Sequence, residues 1–369
     1  MEAGKTPRSL GFRMPAEWEP HEATWIAWPH NASDWPGKFG AIPWVYAEIV
    51  RLLAEGERVE ILVRDEALQR RASAMLLQAG VCLERVRFHL WRTNRVWLRD
   101  SGPIFVRNAA GEVAITDWKF NAWAKYPDWR LDDRNPERVA ELLGMHRWQP
   151  TARGADGRPR RLVLEGGSID ANGVGSLITT EECLLSEVQQ RNPGVLREQL
   201  EEAFAEYLGV EQVLWLGRGT AGDDTHGHVD DITRFVGEDV ILTAVEPDAR
   251  DENHQPLREN LQRLRASRTP SGRQWNLMEL PMPRAIFFNR QRLPASYANF
   301  YIANDRVLVP TFHDPRDRDA LRILSEVFPQ REVVGIHCMD FIWGLGALHC
   351  MTQQQPAVLP PGTAFSQND

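Results

Sequence analysis

Apolar residues recur at three- and four-residue spacing in five stretches of the chain, 45–56, 66–80, 195–209, 256–266 and 319–328. That period predicts amphipathic helices, and the glycines closing the first three are helix-stop signals. Between them lie short runs rich in β-branched residues that read as strands: 57–63, 86–91, 103–107, 113–118, 212–216, 231–236, 239–245, 300–303, 306–310 and 332–336. Strands therefore outnumber helices about two to one, whereas a doubly wound parallel sheet alternates them one for one. No glycine-rich dinucleotide or P-loop fingerprint follows any strand. The pattern favours repeated ββαβ-like units, although no residue-level repeat marks them.

Nothing divides the chain. The polar, Gly/Pro-rich segment 150–161 is short enough to be a surface loop, and candidate chemistry lies on both sides of it. One domain spanning 1–369 is expected, with an ordered core at about 10–357 and a frayed tail after Pro356.

Composition narrows the function. The 369 residues carry a net charge of −8 and show no basic stripe, which argues against a nucleic-acid partner. Apolar runs fall far short of the ~20 residues that span a bilayer, so no membrane partner is expected. The start of the chain lacks a signal-peptide apolar region, and Cys82, Cys183, Cys338 and Cys350 are too scattered for a disulfide framework. A reducing, cytoplasmic location is the resulting expectation. Trp outnumbers Tyr by 14 to 5, with many Trp in the first 150 residues. They fit either self-packed surface loops or the aromatic walls of a ligand cleft.

Three polar clusters interrupt this structural background. Trp97-Leu98-Arg99-Asp100-Ser101-Gly102-Pro103 precedes a strand, where scaffolds place functional groups but where Asp also caps turns. Asp223 to Asp231 packs four acids and two histidines into nine residues. If 226–230 is extended, His226, His228 and Asp230 share a face, offering either a zinc-type ligand set or acid/base chemistry by His228. In the third cluster Gly344 and Gly346 precede His349-Cys350, and glycine lets backbone approach a ligand closely. That setting singles out Cys350 as the reactive cysteine; Cys82 and Cys183 read as core or strand positions. Acids beside a nucleophilic thiol raise its pKa unless the substrate is itself a cation, and paired carboxylates clamp a planar guanidinium well.

Six motifs then fall in one order: Trp97-x-Arg99-Asp100-x-Gly102-Pro103, Phe120-Asn121-Ala122-Trp123, Glu165-Gly166-Gly167-Ser168, Thr180-Glu181-Glu182-Cys183-Leu184, Gly227-His228-Val229-Asp230 and His349-Cys350-x-Thr352-Gln353-Gln354. With them the chain resembles the agmatine deiminase and bacterial-type peptidylarginine deiminase family of the guanidino-group-modifying superfamily, over nearly its whole length. The resemblance implies an α/β fold, a five-bladed pseudosymmetric propeller (pentein) of ββαβ units. It implies hydrolytic deimination of a small cationic guanidino substrate, with no metal or organic cofactor. It implies Cys350 as nucleophile, His228 as general acid/base, and Asp100 and Asp230 as the carboxylates gripping the guanidinium. Asp224, Glu165, Trp97 and Asn299 are the implied substrate-binding residues. Agmatine is the first candidate substrate, ahead of free or peptidyl arginine. A zinc hydrolase built on His226, His228 and Asp230, and a non-catalytic guanidine binder, stay open as other classes, as does homo-oligomerisation. The chain departs from the family's frequent pattern at Asp170, Leu345 and Ala124-Lys125, changes that bear on the end of the substrate away from the guanidinium.

Overall fold

The computed structural model describes residues 5–153 and 157–360. Wherever one face of an alternating segment can be buried, the segment becomes a strand, and the longer strands gather into five sheets of three or four. Each sheet follows one plan. A central strand pairs antiparallel on one side and parallel on the other, and a helix carries the chain across the parallel pair. Val113–Thr116 thus pairs antiparallel with Ile104–Arg107 and parallel with Arg147–Trp148, with the helix Asn135–Leu143 between the last two in sequence. Ser176–Thr180, Val240–Val245 and Arg306–Thr311 are the central strands of three more sheets. Helices Arg197–Leu208, His254–Ala266 and Asp317–Val327 make their crossovers. This is the ββαβ unit that the strand excess suggested.

The fifth sheet draws a strand from far along the chain. Gln353–Pro356 pairs antiparallel with His21–Ala27, which runs parallel to Arg58–Leu62. A strand of consecutive glutamines is tolerated in the interior because two of the three amide oxygens find partners, that of Gln353 being left without one among the described residues. Gln355 accepts from the Trp25 indole at 2.9 Å and Gln354 from Arg99 at 2.6 Å.

The five expected helices are present with ends moved by a few residues, and Arg197–Leu208 stops at Gly209 in the left-handed conformation (φ 68°). Other expectations need correction. Segment 150–161 is not a plain loop but a hairpin, Thr151–Arg153 against Pro159–Arg161, with 154–156 outside the described residues. Cys82 is exposed, not core. Of the tail, Ala357 still donates to the Pro20 carbonyl at 2.8 Å, and residues 361–369 lie outside the described set. The larger hydrophobic core takes in residues from Ala16 to Met351. Several tryptophans belong to it rather than to surface loops: Trp35 is fully buried, donates to the Phe341 carbonyl at 2.7 Å and packs its ring 5.7 Å from that of Trp97. Among the described residues no helix is long and apolar enough to cross a membrane.

Candidate active site

The three polar clusters come together in space. Asp100 sits on the one-turn helix Leu98–Ser101, Asp230 on the 3-10 turn Val229–Asp231 and Cys350 on the one-turn helix Leu348–Met351. Arg99, buried next to Asp100, fastens the first turn to the third. Its guanidinium donates to Gln354 at 2.6 Å, to the His349 carbonyl at 3.3 Å and to Glu17 at 3.3 Å. Such short turns have little stability of their own, so these cross-links set where the neighbouring side chains point.

Around the sulfur, the Asn299 amide nitrogen donates to Cys350 Sγ at 3.1 Å and to Asp231 Oδ1 at 2.9 Å. Asp230 Oδ2 lies 3.8 Å from the same sulfur. It also meets His349 Nδ1 at 2.7 Å, and His349 Nε2 in turn lies 2.7 Å from Glu17. His228 is sandwiched between carboxylates, Nδ1 3.7 Å from Asp100 and Nε2 3.8 Å from Glu165. Both distances exceed hydrogen-bond length, so among the described residues neither ring nitrogen has a hydrogen-bond partner, and Asp230 Oδ1 has none either. Unpaired buried polar atoms are costly unless a ligand is meant to meet them. Gly167 explains how these groups can converge. A methyl group there would sit 2.6 Å from His228 Nδ1, 2.8 Å from Asp100 Oδ1 and 3.0 Å from Asp230 Oδ2.

Burial and crowding shape the electrostatics. Burial, with Asp230 and Glu165 nearby, lifts the Asp100 carboxyl to about 6 against the pull of His228. Burial opposes charge on His228, but Asp100, Cys183 and Glu165 around it hold its pKa well above the usual imidazole value. Burial pushes the Cys350 thiol well up, and Asp230, Asp231 and Asp100 push it further. For Asp230 burial acts upward, but His349 and His228 outweigh it and the carboxyl falls below its ordinary value, whereas burial and Asp230 drive Asp231 well up. The ligand-free site thus favours a thiol, an imidazolium and an excess of carboxylate, a place made for a cation.

That site opens into a cleft of about 270 Å³ with Asp100 and Cys350 at its inner end and Trp97, Trp123 and Trp343 among its walls. Trp123 donates its indole N–H to Asp100 at 2.8 Å. It does so from a run of three left-handed residues, Ala122, Trp123 and Ala124 (φ 51°, 59° and 53°), a conformation costing roughly 1–2 kcal/mol per residue. Farther out the cleft is lined by Asp34, Arg95, Tyr126 and Asp224. Trp97 and Asp224 stand in the wall, as the sequence suggested. Glu165 and Asn299 do not: Glu165 is fully buried behind His228 and paired to Arg191 at 3.1 Å, and Asn299 reaches the site only through Cys350 and Asp231.

One expected face does not form. His226 adopts a left-handed φ of 64°, Gly227 follows at 96°, and the chain enters a 3-10 turn, so 226–230 is not a strand. His226 bonds Ser186 at 3.2 Å and is not among the side chains placed to share a metal with His228 or Asp230. The departures are also accounted for. Asp170 is a buried partner of Arg234, Leu345 takes a left-handed φ of 63° in the cleft wall, and Lys125 pairs with Asp224. The sequence offered no distinct role for Glu17, Asp231 or Arg191. Glu17 lies in an unremarkable N-terminal segment, and only contacts over hundreds of residues reveal it.

A thiol, an imidazole and convergent carboxylates meet near an aromatic cleft, the equipment of an enzyme site rather than of a structural core. Sequence comparison is more specific: the chain belongs to the Porphyromonas-type peptidyl-arginine deiminase family, whose model matches residues 13–356. It is 35% identical over 375 aligned positions to the agmatine deiminase of Ectopseudomonas mendocina, covering 95% of this chain and 97% of that one, and equally similar to that of Pseudomonas aeruginosa. The solved agmatine deiminase of Enterococcus faecalis superposes with a TM-score of 0.86 at 31% identity, covering 97% of this chain and 99% of that one. A C. jejuni agmatine deiminase carrying a cysteine-to-serine change, with substrate bound, gives 0.81 at 28% identity over 94% and 97% of the two chains. The α/β fold is shared with these structures.

Proposed function

We propose that the protein deiminates agmatine, releasing ammonia and N-carbamoylputrescine, through a covalent intermediate on Cys350. The family membership makes it a hydrolase of carbon–nitrogen bonds. What supports the finer reading is the position of the Cys350 sulfur, 3.8 Å from Asp230 in a cleft that also holds Asp100.

In this scheme the guanidinium lies between Asp100 and Asp230 and supplies the positive charge that the acids lack. The thiol then loses its proton to solvent, and the Cys350 thiolate attacks the guanidinium carbon to form an S–C bond. His228, already protonated, gives its proton to the departing ammonia as the tetrahedral adduct collapses to a thiouronium. Water attacks that carbon and His228 takes one of its protons; the S–C bond of the resulting adduct then breaks as the remaining hydroxyl proton is lost to solvent, leaving a ureido product and free thiolate. One imidazole serves as acid and then base, help of this kind being worth roughly 10²–10⁴ in rate. Glu165 and Asn299 act from behind, on His228 and on the sulfur. The substrate is a small molecule, and the site of action is the cytoplasm, where agmatine would feed polyamine synthesis.

The test is incubation with agmatine, free arginine and a blocked arginine peptide, reading ureido product and ammonia. Agmatine is expected to give both, and Cys350→Ala to give neither. Near-wild-type turnover by Cys350→Ala would sink the covalent route.

A further inference from the structure

The outer end of the cleft carries its own charge pattern. Two acids line it there, Asp34 and Asp224, with one cation, Arg95. Both oxygens of Asp224 are already taken. Oδ1 forms an ion pair with the Lys125 ammonium and Oδ2 accepts from the Tyr126 hydroxyl at 2.7 Å. Lys125 keeps 39% of its side chain exposed while Asp224 keeps 15%, so the pair bridges solvent and cleft. Asp34 is only half compensated: its Oδ1 lies 3.3 Å from Arg95, whose guanidinium lies 4.2 Å over the Tyr126 ring and also meets Asp128 at 3.2 Å, while its Oδ2 has no hydrogen-bond partner among the described residues.

The aromatic wall links this end to the chemistry. Trp123 touches Asp100 with its indole N–H, and its ring stands 6.0 Å from that of Tyr126, edge to face. Tyr126 in turn holds Asp224. A guanidino compound with its head at Asp100 and its alkyl chain along Trp123 brings its far end to the Lys125–Asp224 pair.

We propose that Lys125 is the specificity-determining residue for that far end, a reading that rests on deimination at the inner end of the same cleft. By holding Asp224, Lys125 makes a distal ammonium compete with it for the carboxylate. A distal carboxylate meets Lys125 and Arg95 instead. Lys125 therefore selects against guanidino amines and in favour of guanidino acids, relative to the same enzyme without it. A partly exposed pair of this kind supports an effect of about two- to fivefold.

Three compounds with the same four-methylene spacer separate the charges: agmatine, 5-guanidinopentanoate and pentylguanidine. In Lys125→Met, kcat/KM for agmatine should rise about two- to fivefold through KM, that for 5-guanidinopentanoate should fall by a similar factor, and that for pentylguanidine should stay unchanged. Lys125→Arg should keep the wild-type order. Equal changes for all three compounds, or no change for agmatine, would overturn the proposal. The same compounds titrated calorimetrically into Cys350→Ala read the selectivity without turnover. If the wild type turned over none of them while binding kept the predicted order, the deimination reading would fail and the assignment of Lys125 would stand.

Discussion

The amide nitrogen of Asn299 lies 3.1 Å from the sulfur of Cys350, and the same side chain's oxygen accepts from the backbone N–H of His349 at 3.0 Å and of Cys350 at 3.3 Å. One side chain thus both orients the turn and faces the sulfur with a donor. Asn299→Ala is expected to lower kcat by about tenfold or more, since a hydrogen bond to a charged group is worth roughly 1.5–3 kcal/mol. Asn299→Asp should lower it further, because it replaces that donor with a fourth carboxylate next to a thiol already opposed by three. Steady-state kinetics on the two variants decides; an Asn299→Asp enzyme as fast as wild type would contradict this role.

The thiol itself should be unreactive until a cation arrives. Burial and the nearby acids raise its pKa well above the ordinary value, so alkylation of Cys350 by iodoacetamide in ligand-free protein should be slow at pH 7 and speed up only in strongly alkaline buffer. Mass spectrometry of the modified peptide, with exposed Cys82 as the internal control, measures it. A Cys350 alkylated faster than Cys82 at neutral pH would refute the electrostatic account.

Asp100 links pH to both activity and stability. With its carboxyl at about 6, protonation below that pH removes a negative charge from the cation site, and kcat/KM should fall along an acid limb near pH 6. The stability effect runs the other way. A folded-state pKa above the unfolded value of about 3.9 means the fold prefers the neutral acid, so wild type loses stability as pH climbs from about 4 to 6. Asp100→Asn escapes that loss. It should be inactive yet more stable than wild type at pH 8, by the order of 1–3 kcal/mol, with the gap closing toward pH 4. Denaturant melts at the two pH values provide the check.

Gly167 makes the most local prediction. A side chain there would collide with His228, Asp100 and Asp230 together. Gly167→Ala should lose at least a hundredfold in kcat/KM, while a change at the open Gly40, where a methyl group meets nothing within 4 Å, should be silent. Equal activity of the two variants would mean that the three groups do not act together.

Much of this arrangement was legible in the chain itself. The helices at 66–78 and 254–266 announce themselves by period, because each buries one stripe, and the first ends just before its stop signal, Gly80. Asp230 stood out because Gly and His among acids make poor generic surface, Asp100 because an Arg-Asp pair precedes Gly-Pro at a strand's start, and Cys350 because two glycines precede it. The strand at 353–356 did not, since its glutamines mimic a surface segment and are buried only by partners such as Trp25 and Arg99. The helix Asn135–Leu143, short and begun by Pro next to a run of charges, was also missed. His226 shows the opposite error: alternation put it beside His228, but alternation holds only in extended backbone, and Gly227 bends the chain there. His349 and Asp231 lay inside clusters the sequence marked, but what they and Glu17 do depends on tertiary neighbours: His349 bridges Asp230 and Glu17, and Asp231 accepts from Asn299.

The pairing of Gln353–Pro356 with His21–Ala27 has a consequence for how the enzyme comes into being. At about 5–20 residues per second, a ribosome needs roughly tens of seconds between making the first of these strands and the second. For most of that interval the nascent chain has Asp100, and later His228 and Asp230, without the Cys350 sulfur beside them. The turn carrying Cys350 is anchored by the sheet that Gln353–Pro356 completes, so it takes its final place only after that strand has been made.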